Sequence, residues 1–327
     1  MGVFPPPSTQ PKTSLKRKKS SFEGEKMGTR KILVFLAILS LQNFMAGLLL
    51  ADGGYLTTYG HHIKRRELEV MAMNDFTFPS TPHRKEGEHN YFSHMVELEY
   101  APFSQLALEF MTEWFEDIGK KDTKFTGFRY EARYRIFRNE VPLNPMVYVE
   151  YEDLDPETRY KMEVSGWVKP PYEEEDSEDD AETTHPESGA DRERIIETRL
   201  ILSQDFLKHW NIAFNWINET DTSDGVTAFG YATGVSYQFH PRSDGEHAQH
   251  SETSKRFPIQ PASLAFELIG AMGDTKSFGF VPSRQEHYAQ PSIMFHIGKN
   301  VMLNIGFAIG LTRSSDNLVR ANVGVEF

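Results

Sequence analysis

The residues able to do chemistry in this chain recur at every second position. Glu97 and Glu99, Glu109 and Glu113, Glu150 and Glu152, and Glu197 and Arg199 each alternate with apolar or uncharged neighbours. Arg129, Glu131, Arg133 and Arg135 do the same between two acidic segments, and Asn215, Glu267 and Arg320 extend the pattern further along. Opposed ranks of carboxylates and guanidiniums support two kinds of chemistry. They brace a wall as cross-strand ion pairs, or they set the field of a polar passage that selects charged solutes. The two coexist without conflict, and the excess of carboxylates over guanidiniums favours cations in such a passage.

Other chemistry finds less support. Ser93 precedes His94, but alternation turns His94 to the opposite face, where it cannot serve an inward serine as base. No glycine-rich phosphate loop precedes a helix, so no enzyme is expected and no cofactor is assigned. His61-His62 with Met71, Met73, Met95 and Met111 offer donors for soft copper. They lack compact ligand spacing, and methionine commonly fills gaps, so no metal site is assigned. The absence of cysteine removes disulfides and thiolate metal sites. A net charge of -12 argues against nucleic acid as a partner.

The elements that position these residues are β-strands, because large apolar residues fall on one face and charged or small ones on the other. The alternating segments are Glu67 to Phe78, Phe92 to Tyr100, Leu106 to Trp114, Phe128 to Ile136, and Val147 to Tyr151. They continue as Ile196 to Leu202, Trp210 to Trp216, Phe229 to Phe239, and Leu264 to Leu268. The last three are the clearest: Ile293 to Ile297, Val301 to Leu311, and Val319 to Phe327. Breaks are predicted at Ala101-Pro102, Pro142 to Pro145, Asp205-Phe206 and Gly298-Lys299-Asn300. Tyr160 to Val168 alternates weakly and reads as an extension of a hairpin beyond the barrel proper. A stacked soluble sandwich alternates too, but these segments run about ten residues, the length that crosses a bilayer at a tilt. Charged groups also sit on one face of five successive strands.

A final strand ending in Phe327 resembles the closing strand of Gram-negative outer-membrane β-barrels. The resemblance implies an all-β, single closed antiparallel transmembrane barrel of about 12 strands, spanning 67–327. It implies residence in the bacterial outer membrane among lipid and lipopolysaccharide, and insertion by the barrel-assembly machinery through Phe327. It also implies a channel or transporter-like porin, passing small polar solutes. A plugged structural or surface barrel is the alternative. A lipid-modifying enzyme or a metal-resistance barrel ranks below both; outer-membrane phospholipases are of similar size, but their His-x-Ser-Asn signature is missing. An even strand count puts both barrel ends on the periplasmic side and the acidic 154–192 loop outside the cell. The 240–260 loop with His240, His247 and His250 then falls on the periplasmic side, unusually long for it.

Residues 1–26 read as a disordered upstream extension and 52–66 as a periplasmic N-terminal segment. Between them, Thr29-Arg30-Lys31 precedes the apolar Ile32 to Leu50 and then Ala51-Asp52-Gly53, a secretory signal-peptide pattern over 27–51. Met27 is therefore read as the initiator. The run Glu173-Glu174-Glu175-Asp176 cannot build a core of its own.

Overall fold

The alternation closes on itself. This computed structural model describes residues 54–85, 87–160, 164–168, 192–239 and 259–327. Twelve antiparallel strands form one closed barrel in which each strand pairs with its sequence neighbours and the last pairs with the first. In order they are β1 (Leu68–Phe78), β2 (Tyr91–Phe103), β3 (Leu106–Asp117), β4 (Asp122–Arg135), β5 (Met146–Leu154) and β6 (Glu193–Phe206). Then come β7 (Trp210–Asp221), β8 (Thr227–Gln238), β9 (Ile259–Asp274), β10 (His287–Ile297), β11 (Val301–Gly310) and β12 (Asn317–Glu326). One short helix, α1 (Thr81–Lys85), lies between β1 and β2. The strand count matches the sequence expectation. The sequence segments at 1–26, 27–51 and 173–180, and the histidines at 240, 247 and 250, lie outside the described residues.

Closure runs through the ends of the barrel segment. Leu318 to Glu326 on β12 pair in register with Thr77 down to Glu69 on β1. The Phe327 amide then donates to the Leu68 carbonyl at 2.8 Å. Closing the sheet removes both edges, so no ladder group is left unpaired on an open strand.

The wall has one oily face and one polar face. Leu98, Leu108, Phe110, Val147, Val149, Leu200, Ile212, Phe266 and Phe307 are all exposed on the outside. Aromatic residues gather towards both rims. Phe76 and Phe92 stand 4.6 Å apart near one rim, and Trp210 and Tyr237 5.0 Å apart near the other. His94 sits on this outer face as expected, with Nδ1 2.7 Å from Asn74 Oδ1. Even the shortest strand, β5, has nine residues, enough to cross a bilayer when tilted.

Two sequence boundaries move. The predicted break at Asp205-Phe206 is strand, and the turn is Leu207 to His209, with Leu207 and Lys208 both at positive φ. Two successive left-handed residues match the twist of the flanking strands, and neither residue type advertises that conformation. The break at Ala101-Pro102 is also strand, with a register shift between Tyr100 and Phe103 instead of a turn; the chain reverses two residues later.

Tyr160 to Val168 does not extend a hairpin outward. Its described residues fold into the barrel mouth. Val164 packs in a buried cluster with Ile217, Ala232, Ile269 and Tyr288. The Tyr160 hydroxyl donates to Met73 Sδ at 3.3 Å. Gly230 on β8 makes room, since a Cβ there would stand 2.1 Å from the Val164 carbonyl.

Candidate functional site

The lumen of the barrel is the candidate site. Alternation places fifteen residues there. Glu97, Glu109, Glu113, Arg129, Glu131, Arg133, Arg135, Glu150, Glu152, Glu197, Arg199, Asn215, Glu267 and Arg320 are buried, and Glu99 is half-buried. None of them faces the oily outer surface.

Strand register turns the acidic residues into a single row. Glu326 on β12 stands opposite Glu69 on β1, and Glu69 opposite Glu99 on β2. Glu99 faces Glu109, Glu109 faces Glu131, and Glu131 faces Glu150. Glu150 faces Glu197, and Glu197 faces Glu219 on β7. Directly opposed like charges destabilise a sheet, so this row holds only if cations sit among it.

Arginines meet much of that need. Arg133 contacts Glu99, Glu109 and Glu131, the last at 2.9 Å. Arg129 lies 3.1 Å from Glu113, 2.9 Å from Glu150 and 3.3 Å from Glu152. Arg199 pairs with Glu197. Lys64 reaches Glu67 at 2.8 Å and Glu326 at 3.2 Å. Tyr59 sits between two of these cations: the guanidiniums of Arg133 and Arg199 lie 4.5 and 5.1 Å from its ring centre. A planar guanidinium serves several carboxylates at once better than an ammonium does, which fits the choice of arginine in the crowded middle.

The other side of the lumen is occupied by the chain itself. Residues 54–63, expected outside the barrel, run within it. Buried Glu267 on β9 accepts hydrogen bonds from three consecutive backbone amides: Leu56 at 2.8 Å, Thr57 at 3.0 Å and Thr58 at 2.7 Å. Asn215 on β7 accepts from the Tyr59 amide at 2.6 Å and donates to its carbonyl at 3.0 Å, as a neighbouring strand would. Asn304 on β11 donates to the carbonyls of Gly54 and Tyr55, each at 3.0 Å. Arg320 donates to Thr57 Oγ1 at 2.5 Å while paired with Asp75 at 3.0 Å. A polar peptide inside a polar lumen thus finds its backbone partners in side chains of the wall.

Small residues make the space. A Cβ at Gly234 on β8 would stand 2.6 Å from the Tyr55 ring, and one at Gly306 on β11 would stand 2.4 Å from Leu56 Cδ1. Between this segment and the strands β10 to β12 and β1 to β4 remains a cavity of about 290 Å³. Its lining includes Glu69, Glu97, Glu99, Glu109, Met71 and Met302.

The segment leaves past His61 and His62. His61 Nδ1 lies 2.8 Å from Ser203 Oγ and its Nε2 3.3 Å from Glu140. His62 Nε2 lies 2.9 Å from Asp205. The fold therefore brings Asp205 beside two histidines, a trio with donor atoms spaced for a metal ion that sequence spacing alone did not reveal. Burial lowers the His61 pKa to about 4, and adjacent His62 pushes it the same way, against the pull of Asp205 and Glu140. His61 is thus neutral at pH 7. A group that binds fewer protons folded than free stabilises the structure above its free pKa and loses that contribution as pH falls. Here the loss spans pH 6.5 to about 4 and amounts to on the order of 3 kcal/mol. Hydrogen exchange of residues 54–63 is expected to accelerate over that window, and His61→Gln is expected to flatten the response.

Several lumen residues were not singled out from sequence. Glu69 and Asp75 share the inward face of the first segment with Met71 and Met73, which mask it as a charged face. Gln290 precedes Pro291, outside the clean alternation, yet it donates to Glu267 at 2.8 Å and to Thr57 at 3.1 Å.

No protein-family model matches this chain, and no curated protein matches it in sequence. Solved structures are similar at low identity. An outer membrane channel from Pseudomonas putida F1 is 11% identical, with 81% of this chain and 97% of that chain covered and a TM-score of 0.47. The translocator domain of the autotransporter NalP from Neisseria meningitidis is 8% identical, with 91% and 97% covered and a TM-score of 0.40. The toluene transporter TbuX of Ralstonia pickettii is 10% identical, with 81% and 89% covered and a TM-score of 0.31. Superpositions this loose leave the closed twelve-stranded wall and the lumen of this chain to speak for themselves.

Proposed function

We propose that this chain is a channel of the bacterial outer membrane, gated by its own residues 54–63, through which small polar solutes pass with cations preferred. The observation that carries the reading is how the segment is held. It lies beside a cavity of about 290 Å³ and is fastened to Glu267, Asn215 and Asn304 by hydrogen bonds. Such a segment can leave without breaking the wall. The signal-peptide pattern at 27–51, insertion through Phe327 and contact with lipopolysaccharide belong to the same reading. The oily band supports it: lipid is the solvent that a continuous belt of Leu, Val and Phe around a closed sheet fits.

The membrane half of the reading sets a stability cost. Val149→Arg, near the middle of β5 on the outer face, is expected to destabilise the barrel in lipid vesicles by about 2–4 kcal/mol. A change within about 0.5 kcal/mol, the usual scatter for an exposed site in water, would remove the lipid contact.

Planar-bilayer recordings test the channel half. The full chain is expected to show rare or small steps, and a variant lacking residues 54–63 frequent, larger ones with a cation-selective reversal potential. Silence from both would favour a plugged structural barrel. The dense packing of Arg129 and Arg133 with their carboxylates supports that second reading.

A further inference from the structure

The acidic row is unevenly compensated, and the shortfall is local. Glu97 on β2 is 5% exposed and borders the lumen cavity. No hydrogen bond or ion pair reaches it among the described residues. Met71 and Met111 stand opposite it on the two neighbouring strands. A bare buried carboxylate between thioethers is costly unless something positive joins it. Beside it are Glu99 and Glu109, both in contact with Arg133, which also reaches Glu131. Glu69, opposite Glu99, adds a buried Oε1 without a hydrogen-bond partner. The nearby Arg129 is engaged with Glu113, Glu150 and Glu152, and Lys64 with Glu67 and Glu326.

Geometry names the missing partner. One oxygen from each of Glu97, Glu99 and Glu109 lies within 4.8 Å of the others. Calcium binds oxygen at roughly 2.3–2.6 Å and accepts irregular cages completed by water, so two ligands across the ion stand up to about 5 Å apart. Magnesium wants near-octahedral ligands at about 2.1 Å and gives up its water reluctantly, so an irregular trio of carboxylates suits it less. The adjoining cavity supplies room for water ligands. We infer that Glu97, Glu99 and Glu109 form a calcium-class divalent-cation site in the lumen wall. The site needs the inward face of the barrel and does not depend on whether the lumen conducts.

Calorimetric titration of the full chain in detergent, after chelator treatment, with calcium chloride tests it. One calcium per chain is expected, bound at least tenfold more tightly than magnesium. Glu97→Gln and Glu109→Gln should each weaken it tenfold or more, while His62→Ala, which dismantles the other histidine–carboxylate trio, should leave it unchanged. Should the glutamine variants fail to fold, terbium luminescence excited through Tyr59, beside Arg133, gives a second measurement. It is expected from the intact chain and should be lost in Tyr59→Phe. No binding of calcium or terbium would overturn the assignment, leaving Glu97 to be held neutral by a proton. So would binding that survives Glu97→Gln but not His62→Ala, or binding of silver alone that is lost in Met71→Leu. Because binding is read without conduction, a silent bilayer would sink the channel and leave this site standing.

Discussion

Replacing Glu267 with alanine is expected to free the amides of Leu56, Thr57 and Thr58, raising their hydrogen exchange roughly a hundredfold. One carboxylate accepts all three, at 2.7 to 3.0 Å. A buried donor stripped of its acceptor costs about 1–3 kcal/mol, and bonds to a charged acceptor are the stronger kind. Even partial recovery through water leaves roughly 3 kcal/mol, which is about a hundredfold in the opening equilibrium. The strand ladders should hardly respond, because Glu267 contributes its backbone to β9 whatever its side chain. Exchange that rises uniformly across the barrel would mean that Glu267 supports the wall rather than the segment. Unchanged exchange at 56–58 would mean that the segment is fastened elsewhere.

The second large effect is expected at Arg133. Arg133→Leu keeps volume near the Tyr59 ring but leaves Glu99, Glu109 and Glu131 without their shared cation. Removing one partner of a buried ionic cluster typically costs about 3–5 kcal/mol. Adding Glu109→Gln should restore part of that loss, since it lowers the number of like charges facing one another across β2, β3 and β4. Thermal unfolding in detergent reads both. A loss below about 1 kcal/mol for the single variant, in the range of an exposed ion pair, would show that the row is not held by Arg133.

How much of this was legible in the sequence varies with the kind of interaction. The wall was legible, because outward-facing and lumen-facing residues must alternate and a one-residue slip would turn Glu97 to the outside with every residue of its face. The direction of His94 and the twelve strands followed from the same period. The turns were less so: Leu207 and Lys208 adopt left-handed backbone without a glycine or asparagine to announce it. The acidic row was half legible. The face of each glutamate follows from alternation, but their alignment across β12 and β1 to β7 depends on the register between separate strands, which no single segment encodes. The occupant of the lumen was hidden for another reason. Residues 54–63 carry no periodic pattern, since their backbone is satisfied by side chains such as Glu267 and Asn215 and not by a ladder. The complementary signal lay in the small inward residues Gly234 and Gly306. They show that something packs against the wall without saying what.

That the segment is a gate can be tested in one molecule. A Cβ on Gly54 would stand 3.0 Å from Ser263 Cβ, and the chain has no cysteine of its own. A Gly54→Cys, Ser263→Cys variant can therefore be tethered by oxidation and freed by reduction, at the cost of a side chain at φ 80° and a shift of the two Cβ atoms to ordinary disulfide spacing. In a planar bilayer the oxidised variant is expected to stay closed, and cation-selective steps should appear when reductant is added. Equal conductance before and after reduction would contradict the gate.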